Sequence, residues 1–346
     1  MLRVAIVGSG NVGRIRAGVI HRSPHSRVRI VADVQAGLAR ELAQTLDAEP
    51  TSNWRYAVQH ADIDVVVVCT PTKFHAEIAN IALGAGKHVL CEKPLARSVA
   101  EAEAMINTAE GAHRLLKTGF NYRHMAHVRK AKEQIEAGVL GPLHFLRCRF
   151  GHGGRPGYEK AWCTNLELSG GGALLEQGIH IVDLIRYLLG EPAEVCAETA
   201  CLFWNFPEVE DNCFLLMKTD TGQLAQAHVS WTQWRNVFAL EIFGRDGYLI
   251  LSGRDGHYGP QQLILGKRQP NHGRPQEQVF EFGLPDDSWK REWDEFVGAI
   301  HDDREPLGSG FDGLRALHLV QACYTSSQSH GWVEVTRLRD RVSRTA

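Results

Sequence analysis

The chain predicts an α/β protein in two parts. Residues 1–120 form a parallel sheet covered by helices on both faces, and residues 121–346 an α+β domain with a mainly antiparallel sheet. Three observations carry this expectation. Short apolar runs alternate with helix-period segments through residue 120. Beyond Phe120 the strand-like runs lengthen and follow one another across short turn signals, as in antiparallel sheets. A length of 346 residues, at roughly 150 per domain, also makes two domains.

Taken in order, Leu2 to Val7 reads as a buried strand, and the helix after its glycine turn is closed by Ser23-Pro24. Val28 to Val34 is a second strand, and Ala36 to Leu46 has helical spacing. Asp64 to Cys69 (DVVVVC) is a β-branched run suited to burial on both faces. Phe74 to Leu83 is a helix ended by Gly84 and Gly86, and Lys87 to Cys91 a strand. A helix capped by Ser98 then runs to Glu110, followed by a strand from Leu115 to Phe120. In the second part, His127 to Ala137 is an amphipathic helix stopped by Gly138. Strands are expected at Leu143 to Phe150, Ala193 to Phe203, Asn212 to Thr219, Gly222 to Trp231 and Phe238 to Phe243. Gly244-Arg245-Asp246-Gly247 turns the last of these into Tyr248 to Leu251. Ser288 to His301 and Asp312 to Ser327 have helical spacing, and Trp332 to Thr336 is a final strand.

Hydrophobic residues make up 44% and charged residues 23%, which excludes a largely disordered chain. With 38 basic against 40 acidic residues, the formal charge of −2 offers no electrostatic grip on nucleic acid or an anionic membrane. The eight cysteines form no C-x-x-C pair, and no signal-like start or membrane-length apolar run is present. A reduced, cytoplasmic protein is expected. No metal is expected either, because His124, His127 and His152 have no carboxylate partner at ligand spacing.

Gly8-Ser9-Gly10-Asn11-Val12-Gly13 fits G-x-G-x-x-G directly after the first strand and at a helix start. Glycines there let the backbone turn tightly against a pyrophosphate, whose charge sits on the helix N-terminus. Asp33 ends the second strand twenty residues beyond Gly13, where its carboxylate can accept from an adenosine ribose hydroxyl. No arginine follows to receive a 2′-phosphate, which favours NAD over NADP. Lys93, in Cys91-Glu92-Lys93-Pro94, ends another strand on the side where open sheets bind ligands. An ammonium there can stabilise alkoxide character as a hydride leaves; otherwise a strand-end lysine is a solvated charge. Thr70 and Pro71 end the DVVVVC strand in the same way, and His75 follows, beside the cofactor or on a helix surface.

Gly170-Gly171-Gly172 opens a helix from Ala173 to Leu189 on which Glu176 and His180, four apart, share a face with Asp183 near the same stripe. A histidine there can accept a hydroxyl proton while the carboxylate orients it or touches the substrate. The alternative is a polar stripe facing water. The glycines allow close approach of another backbone or a ligand, and the interior Gly178 costs about 1 kcal/mol relative to alanine and wants a reason.

The GSGNVG turn, Asp33, CTPTKFHAEIA (Cys69 to Ala79), KHVLCEKPLA (Lys87 to Ala96), GFNYR (Gly119 to Arg123) and GGGALLEQGIHIVDL (Gly170 to Leu184) together resemble one family. It is the Gfo/Idh/MocA oxidoreductases, which include glucose–fructose oxidoreductase and inositol dehydrogenase. The resemblance implies a Rossmann NAD-binding domain over 1–120. Over 121–346 it implies an open, mainly antiparallel sheet that closes the substrate site and builds the interface of a homodimer or homotetramer. Lys93 and His180 are then the catalytic pair, with Glu176 beside them where many members carry aspartate. Gly8, Gly10, Asn11, Val12, Gly13, Asp33, Thr70, Pro71, His75, Glu92, Lys93 and Asn121 are expected to line the dinucleotide. The implied reaction is hydride transfer between NAD and a secondary hydroxyl, or ketone, of a sugar, inositol, amino sugar or sugar-bearing natural product. An NAD-dependent glycoside-cleaving enzyme using transient oxidation is one alternative. A non-enzymatic dinucleotide-binding regulator is another, disfavoured by the presence of both lysine and histidine.

Gly151 to Leu168 is rich in glycine and carries His152, Arg155, Tyr158, Trp162 and Asn165. Aromatic faces pack on the C–H side of sugar rings while Arg and Asn reach hydroxyls. The segment is therefore a carbohydrate-recognition loop, or one packed on its own domain or on a neighbouring subunit. Arg123, Arg155, Tyr158, Trp162 and Asn165 join Lys93, Glu176 and His180 as expected substrate contacts, and Trp231 and Trp234 read as sheet-face residues.

Overall fold

Valine-rich runs with apolar side chains on both faces require a helical layer on each side, and the computed structural model, which describes residues 1–271, 273–283 and 285–336, has them. Six parallel strands, β1 (Leu2–Val7), β2 (Ser26–Ala32), β3 (Glu49–Thr51), β4 (Val65–Val68), β5 (His88–Glu92) and β6 (Leu116–Gly119), lie in the order β3-β2-β1-β4-β5-β6. Between them run α1 (Asn11–His21), α2 (Ala36–Gln44), α3 (Trp54–Gln59), α4 (His75–Gly84) and α5 (Val99–Gly111). Alternation along the strands divides the core. Ala5, Val7, Val66 and Val68 pack towards α3, α4 and α5, whereas Val4, Ile6, Val65 and Val67 pack towards α1 and α2. The strand order reverses between β1 and β4, which opens a crevice at their carboxyl ends. The edge strand β3 and helix α3 were not expected. Glu49-Pro50-Thr51 has no apolar pattern, and a proline is tolerated at a sheet edge.

The chain continues through α6 (Ala126–Glu136), β7 (Leu143–Gly151), the short α7 (Leu166–Ser169) and α8 (Ile179–Leu189). Then follow β8 (Pro192–Ala200), β9 (Asn212–Thr219), β10 (Leu224–Ser230), β11 (Val237–Gly244), β12 (Gly247–Ser252), β13 (Gln261–Lys267), β14 (Gln276–Phe282), α9 (Ser288–His301), α10 (Gly310–Ser329) and β15 (Val333–Glu334). The nine strands pair in the order β14-β13-β12-β11-β7-β10-β9-β8-β15. Only β7 and β10 pair in parallel; the other neighbours are antiparallel. Ile181, Val182 and Ile185 of α8 and Leu317 and Val320 of α10 cover one face, in a core continuous with that of the first sheet. The opposite face carries exposed Phe214, Leu216 and Val279. No described helix is long and apolar enough to cross a membrane.

Three expectations about elements need correction. Strands β13 and β14 were missed because glutamine and glutamate interrupt their apolar residues. Ala193 to Phe203 stops as a strand at Ala200. The helix expected over Ala173 to Leu189 is not continuous: Leu174–Gly178 forms a π turn, and α8 starts at Ile179.

Helix α9 returns to the first sheet, where Trp293, Phe296 and Val297 fill the face lined by Val4, Ile6 and Val65. Its Glu292 is fully buried and accepts from the Arg16 guanidinium of α1. Arg16 also reaches Glu92, at the end of β5, at 2.6 Å, and lies 4.5 Å over the Trp289 ring. Lys117 of β6, equally buried, is 3.9 Å from Glu292 and 3.6 Å from Glu295. Buried charges persist when they are mutually paired, and removing one member leaves the others stranded. This cluster binds α1, β5, β6 and α9 together. Glu292→Ala is expected to lower stability by about 3–5 kcal/mol, read as a fall in the midpoint of urea denaturation at unchanged slope.

Candidate functional site

The glycine turn between β1 and α1 can be built only from glycine at two places. Gly8 has φ of +101°, and a Cβ there would stand 2.6 Å from the Cys69 carbonyl oxygen. A Cβ on Gly13 would stand 1.9 Å from the Gly8 carbonyl oxygen. Over Gly10, by contrast, a Cβ would meet nothing within 4 Å, so the turn is open on that side. Asn11 and Val12 begin α1 with no side-chain cap and no acidic residue in the first turn, which leaves N–H groups for an anion. The Asp33 carboxylate accepts from the backbone N–H of Ser9 at 2.7 Å and of Gln35 at 2.9 Å, and so stands beside the turn. An open turn, an uncapped helix start and an adjacent acid fit the pyrophosphate and ribose of a dinucleotide.

Thr70 and Pro71, both half-buried, follow β4. His75 is buried, not a surface residue of its helix. Its ring nitrogens lie 2.9 Å from the carbonyl oxygens of Thr70 and Pro94, so it joins the segments that follow β4 and β5. Glu92 and Asn121 are also buried. Glu92 pairs with Arg16, and the Asn121 amide donates to Ser288 Oγ at 3.1 Å. Both therefore make polar contacts to protein beside the crevice.

Lys93 and the segment before α8 meet directly. Lys93 Nζ donates to the Glu176 carboxylate at 2.8 Å and to the Glu176 carbonyl oxygen at 2.6 Å. Glu176, expected either to orient His180 or to touch the substrate, has its carboxylate on Lys93. Glu176 lies in the π turn over Leu174–Gly178 and His180 in the α-helix that follows it, so a change of helix type separates the two. Gly178 has its reason in packing, since a Cβ there would lie 3.1 Å from a Val229 methyl. The three glycines before the turn serve protein contacts too. Gly172 would clash with the Glu210 carbonyl oxygen at 2.2 Å, and Gly171 with Tyr324 Oη at 2.5 Å. The Glu210 carboxylate accepts from the N–H groups of Gly172 at 3.1 Å and Leu174 at 2.8 Å.

His180 is only 6% exposed, and its ring lies flat on Tyr122, with centroids 3.8 Å apart and planes at 4°. Phe120 meets it edge-on at 6.2 Å. Its Nδ1 is buried without a hydrogen-bond partner. Burial, reinforced by the nearby charges of Lys93, Arg254 and Arg16, holds the imidazole well below its usual pKa, so the ring is neutral. Tyr122 and Arg254 are the two site residues that sequence reasoning missed. Arg254 follows β12 and lies over the rings of Tyr122 at 5.3 Å and Tyr258 at 4.4 Å. Tyr122 sits inside the GFNYR motif, so a signal existed; nothing in Ser252-Gly253-Arg254-Asp255 marked Arg254.

The segment from Gly151 to Leu168 is anchored across the crevice. Lys73 pairs with Glu167, and Arg97 donates to the Glu167 carbonyl oxygen at 2.9 Å. Tyr158 packs edge-on against Trp231 at 5.3 Å and Trp204 at 5.7 Å, while Arg155 and Trp162 are exposed. Burial first, then the proximity of Cys163 and Glu176, pushes the Tyr158 hydroxyl far above its usual pKa. The Asn165 side chain is the N-cap of α7, accepting from Leu168 N–H at 3.0 Å. Arg123 is a correction to the expected substrate contacts. It is buried, donates twice to Asp183 at 2.8 and 2.6 Å, and lies 3.0 Å from Asp312, so its donors are already satisfied. Trp231 is buried, but Trp234 lies outside the strands, 64% exposed, against Phe203.

A glycine turn at the switch point of a parallel sheet, a lysine at the end of β5 held by Glu176 from the turn before α8, and a second, mainly antiparallel sheet define a dinucleotide-binding protein of two sheets. Family models agree with that class. Residues 2–120 match "Oxidoreductase family, NAD-binding Rossmann fold", and residues 128–250 match "GFO/IDH/MocA C-terminal domain". The chain is 34% identical to the levoglucosan dehydrogenase of Pseudarthrobacter phenanthrenivorans, over 97% of this chain and 99% of that one. It is 28% identical to the myo-inositol 2-dehydrogenase of Thermotoga maritima, over 94% and 96%. A solved levoglucosan dehydrogenase in complex with NADH superposes with a TM-score of 0.88 at 25% identity, covering 97% of this chain and 100% of that one. The chain belongs to the Gfo/Idh/MocA family and is an NAD-dependent oxidoreductase of the dehydrogenase type.

Gly13→Ala forces a methyl into the Gly8 carbonyl and distorts the open turn. NADH titration followed by nicotinamide fluorescence is expected to show loss of saturable binding, with the far-UV spectrum unchanged.

Proposed function

We propose that the protein oxidises a secondary hydroxyl of a sugar or cyclitol, or reduces the matching ketone, with Lys93 and His180 as its reacting side chains. The observation that supports this most directly is that Lys93 and a neutral, buried His180 share one neighbourhood at the carboxyl end of β5. The glycine turn, Asn11, Val12, Asp33, Thr70 and Pro71 hold the dinucleotide in this reading, with His75, Glu92 and Asn121 keeping that surface in shape. When bound, NAD supplies the hydride acceptor or donor. His180, uncharged, accepts the hydroxyl proton, and the Lys93 ammonium stabilises the oxygen as negative charge develops on it. Glu176 keeps Lys93 oriented. The related levoglucosan and myo-inositol dehydrogenases, named for polyhydroxylated rings, support the substrate class.

The reading also assigns residues 1–120 to the cofactor and 121–346 to substrate and assembly, although α9 packs on the first sheet. Arg155, Tyr158 and Trp162 form the rim nearest a sugar, with Asn165 shaping it as a helix cap. The uncovered face of the second sheet, with Phe214, Leu216, Leu224 and Val279 about half exposed, is the surface through which copies of the chain assemble. Phe214→Lys with Leu216→Lys is expected to shift the mass seen by light scattering to that of the monomer. An unchanged mass removes this face from the interface.

Lys93→Met and His180→Asn are each expected to lower kcat by roughly 10²–10⁴-fold, with NADH binding retained. Because burial and the neighbouring cations depress the His180 pKa, the wild-type acid limb of kcat/KM lies below pH 6.5. Removing the Lys93 cation makes the protonated imidazole less unfavourable, so the limb moves to higher pH in Lys93→Met. Near-native turnover in either variant removes that residue from the chemistry.

A further inference from the structure

The charges around His180 do not balance. Lys93 has Glu176. Arg254 is half-buried in the Gly253–Pro260 loop with its guanidinium over Tyr122 and Tyr258, and forms no ion pair with any described residue. Its Nε is buried without an acceptor. Asp286, whose charge acts on Arg254, is already occupied: it accepts from Ser288 N–H at 3.0 Å, Ser288 Oγ at 2.9 Å and Gln261 Nε2 at 3.4 Å. Asp255 accepts from Gln261 Nε2 at 2.8 Å. A second guanidinium, that of Arg155, is exposed on the Gly151 to Leu168 segment, also without a carboxylate among the described residues. His152 lies near both, since Arg254 and Arg155 add to burial in holding its pKa down to about 4.

A guanidinium shielded from water and lacking a counter-charge is stabilised by an anion, preferably a planar or tetrahedral oxyanion that accepts two of its N–H bonds. Tyr122 carries the argument to the reacting centre, because the ring under Arg254 is the ring on which His180 stacks at 3.8 Å. We infer that the substrate is a sugar bearing a carboxylate or phosphate, and that Arg254 binds this group while the hydroxyl to be oxidised reaches His180. Arg155 guides the anion at the rim. The inference rests on the redox reading above and narrows its substrate class from polyols in general to anionic sugars. Carboxylate and phosphate present the same chemistry to a guanidinium, and the experiment separates them.

The test is calorimetric titration of the NADH-loaded protein with D-glucose, D-glucuronate and D-glucose 1-phosphate. At least one anionic sugar is expected to bind roughly ten- to a hundredfold more tightly than glucose. Whichever does so identifies the oxyanion. The preference is expected to disappear in Arg254→Gln and to return in part in Arg254→Lys. Glucose binding as tightly as both anionic sugars overturns the inference, as does a preference that survives Arg254→Gln or the absence of saturable binding by either anionic sugar. Turnover is followed separately by nicotinamide absorbance. Arg254-dependent binding with no sugar in a wider panel ever oxidised defeats the redox reading and leaves the anion site standing.

Discussion

The contact between the Lys93 ammonium and Glu176 joins the carboxyl end of the parallel sheet to the turn that precedes α8. Its energy is modest, because both side chains keep some contact with water, 16% and 20% exposed. Its value is positional. Lys93 directly follows Glu92, which is tied through Arg16 to Glu292 and thereby to α9. The backbone that presents the ammonium therefore rests on a dry, multiply paired foundation, while the ammonium itself faces the crevice side. Rigidity below and partial hydration above suit the role proposed for this ammonium.

The second constraint is the flat packing of His180 on Tyr122. A stacked imidazole with one nitrogen sealed in protein has little freedom to turn, so its orientation is set by shape and not by a hydrogen-bonded carboxylate. Glu176 is occupied by Lys93, and Asp183 by Arg123. Both of these acids thus have a cation, and the imidazole is left among positive groups that keep it uncharged. The distribution of charge keeps the imidazole neutral, and the aromatic ring holds its plane.

Much of this architecture is written in local sequence. The run DVVVVC and its neighbours can be nothing but strands buried on both faces, and GSGNVG announces its turn because only glycine survives its geometry. Lys93 and His180 were legible through motifs that place them at a strand end and on a helix. What was hidden depended on partners distant in the chain. Glu49-Pro50-Thr51 becomes a strand only because β2 offers it an edge. The role of Arg123 was misread because Asp183 and Asp312 reach it from elements far along the chain. Arg254 has no local signature, and its relation to His180 passes through Tyr122. The π turn was hidden because Leu174 to Gln177 is ordinary helix sequence, and the one local signal, Gly178, finds its reason only in packing on the distant Val229.

That turn has a further consequence. A π turn holds one residue more than the helical turn it replaces. Excising a single residue between Leu174 and Gly178 would let the segment rewind as uninterrupted α-helix, leaving α8 and its imidazole seated on the aromatic ring while everything upstream swivels by about 100°. The carboxylate would leave the ammonium, and the glycine run would lose its register against Glu210. Length at this one place therefore acts as a rotary coupling between the carboxylate and the imidazole.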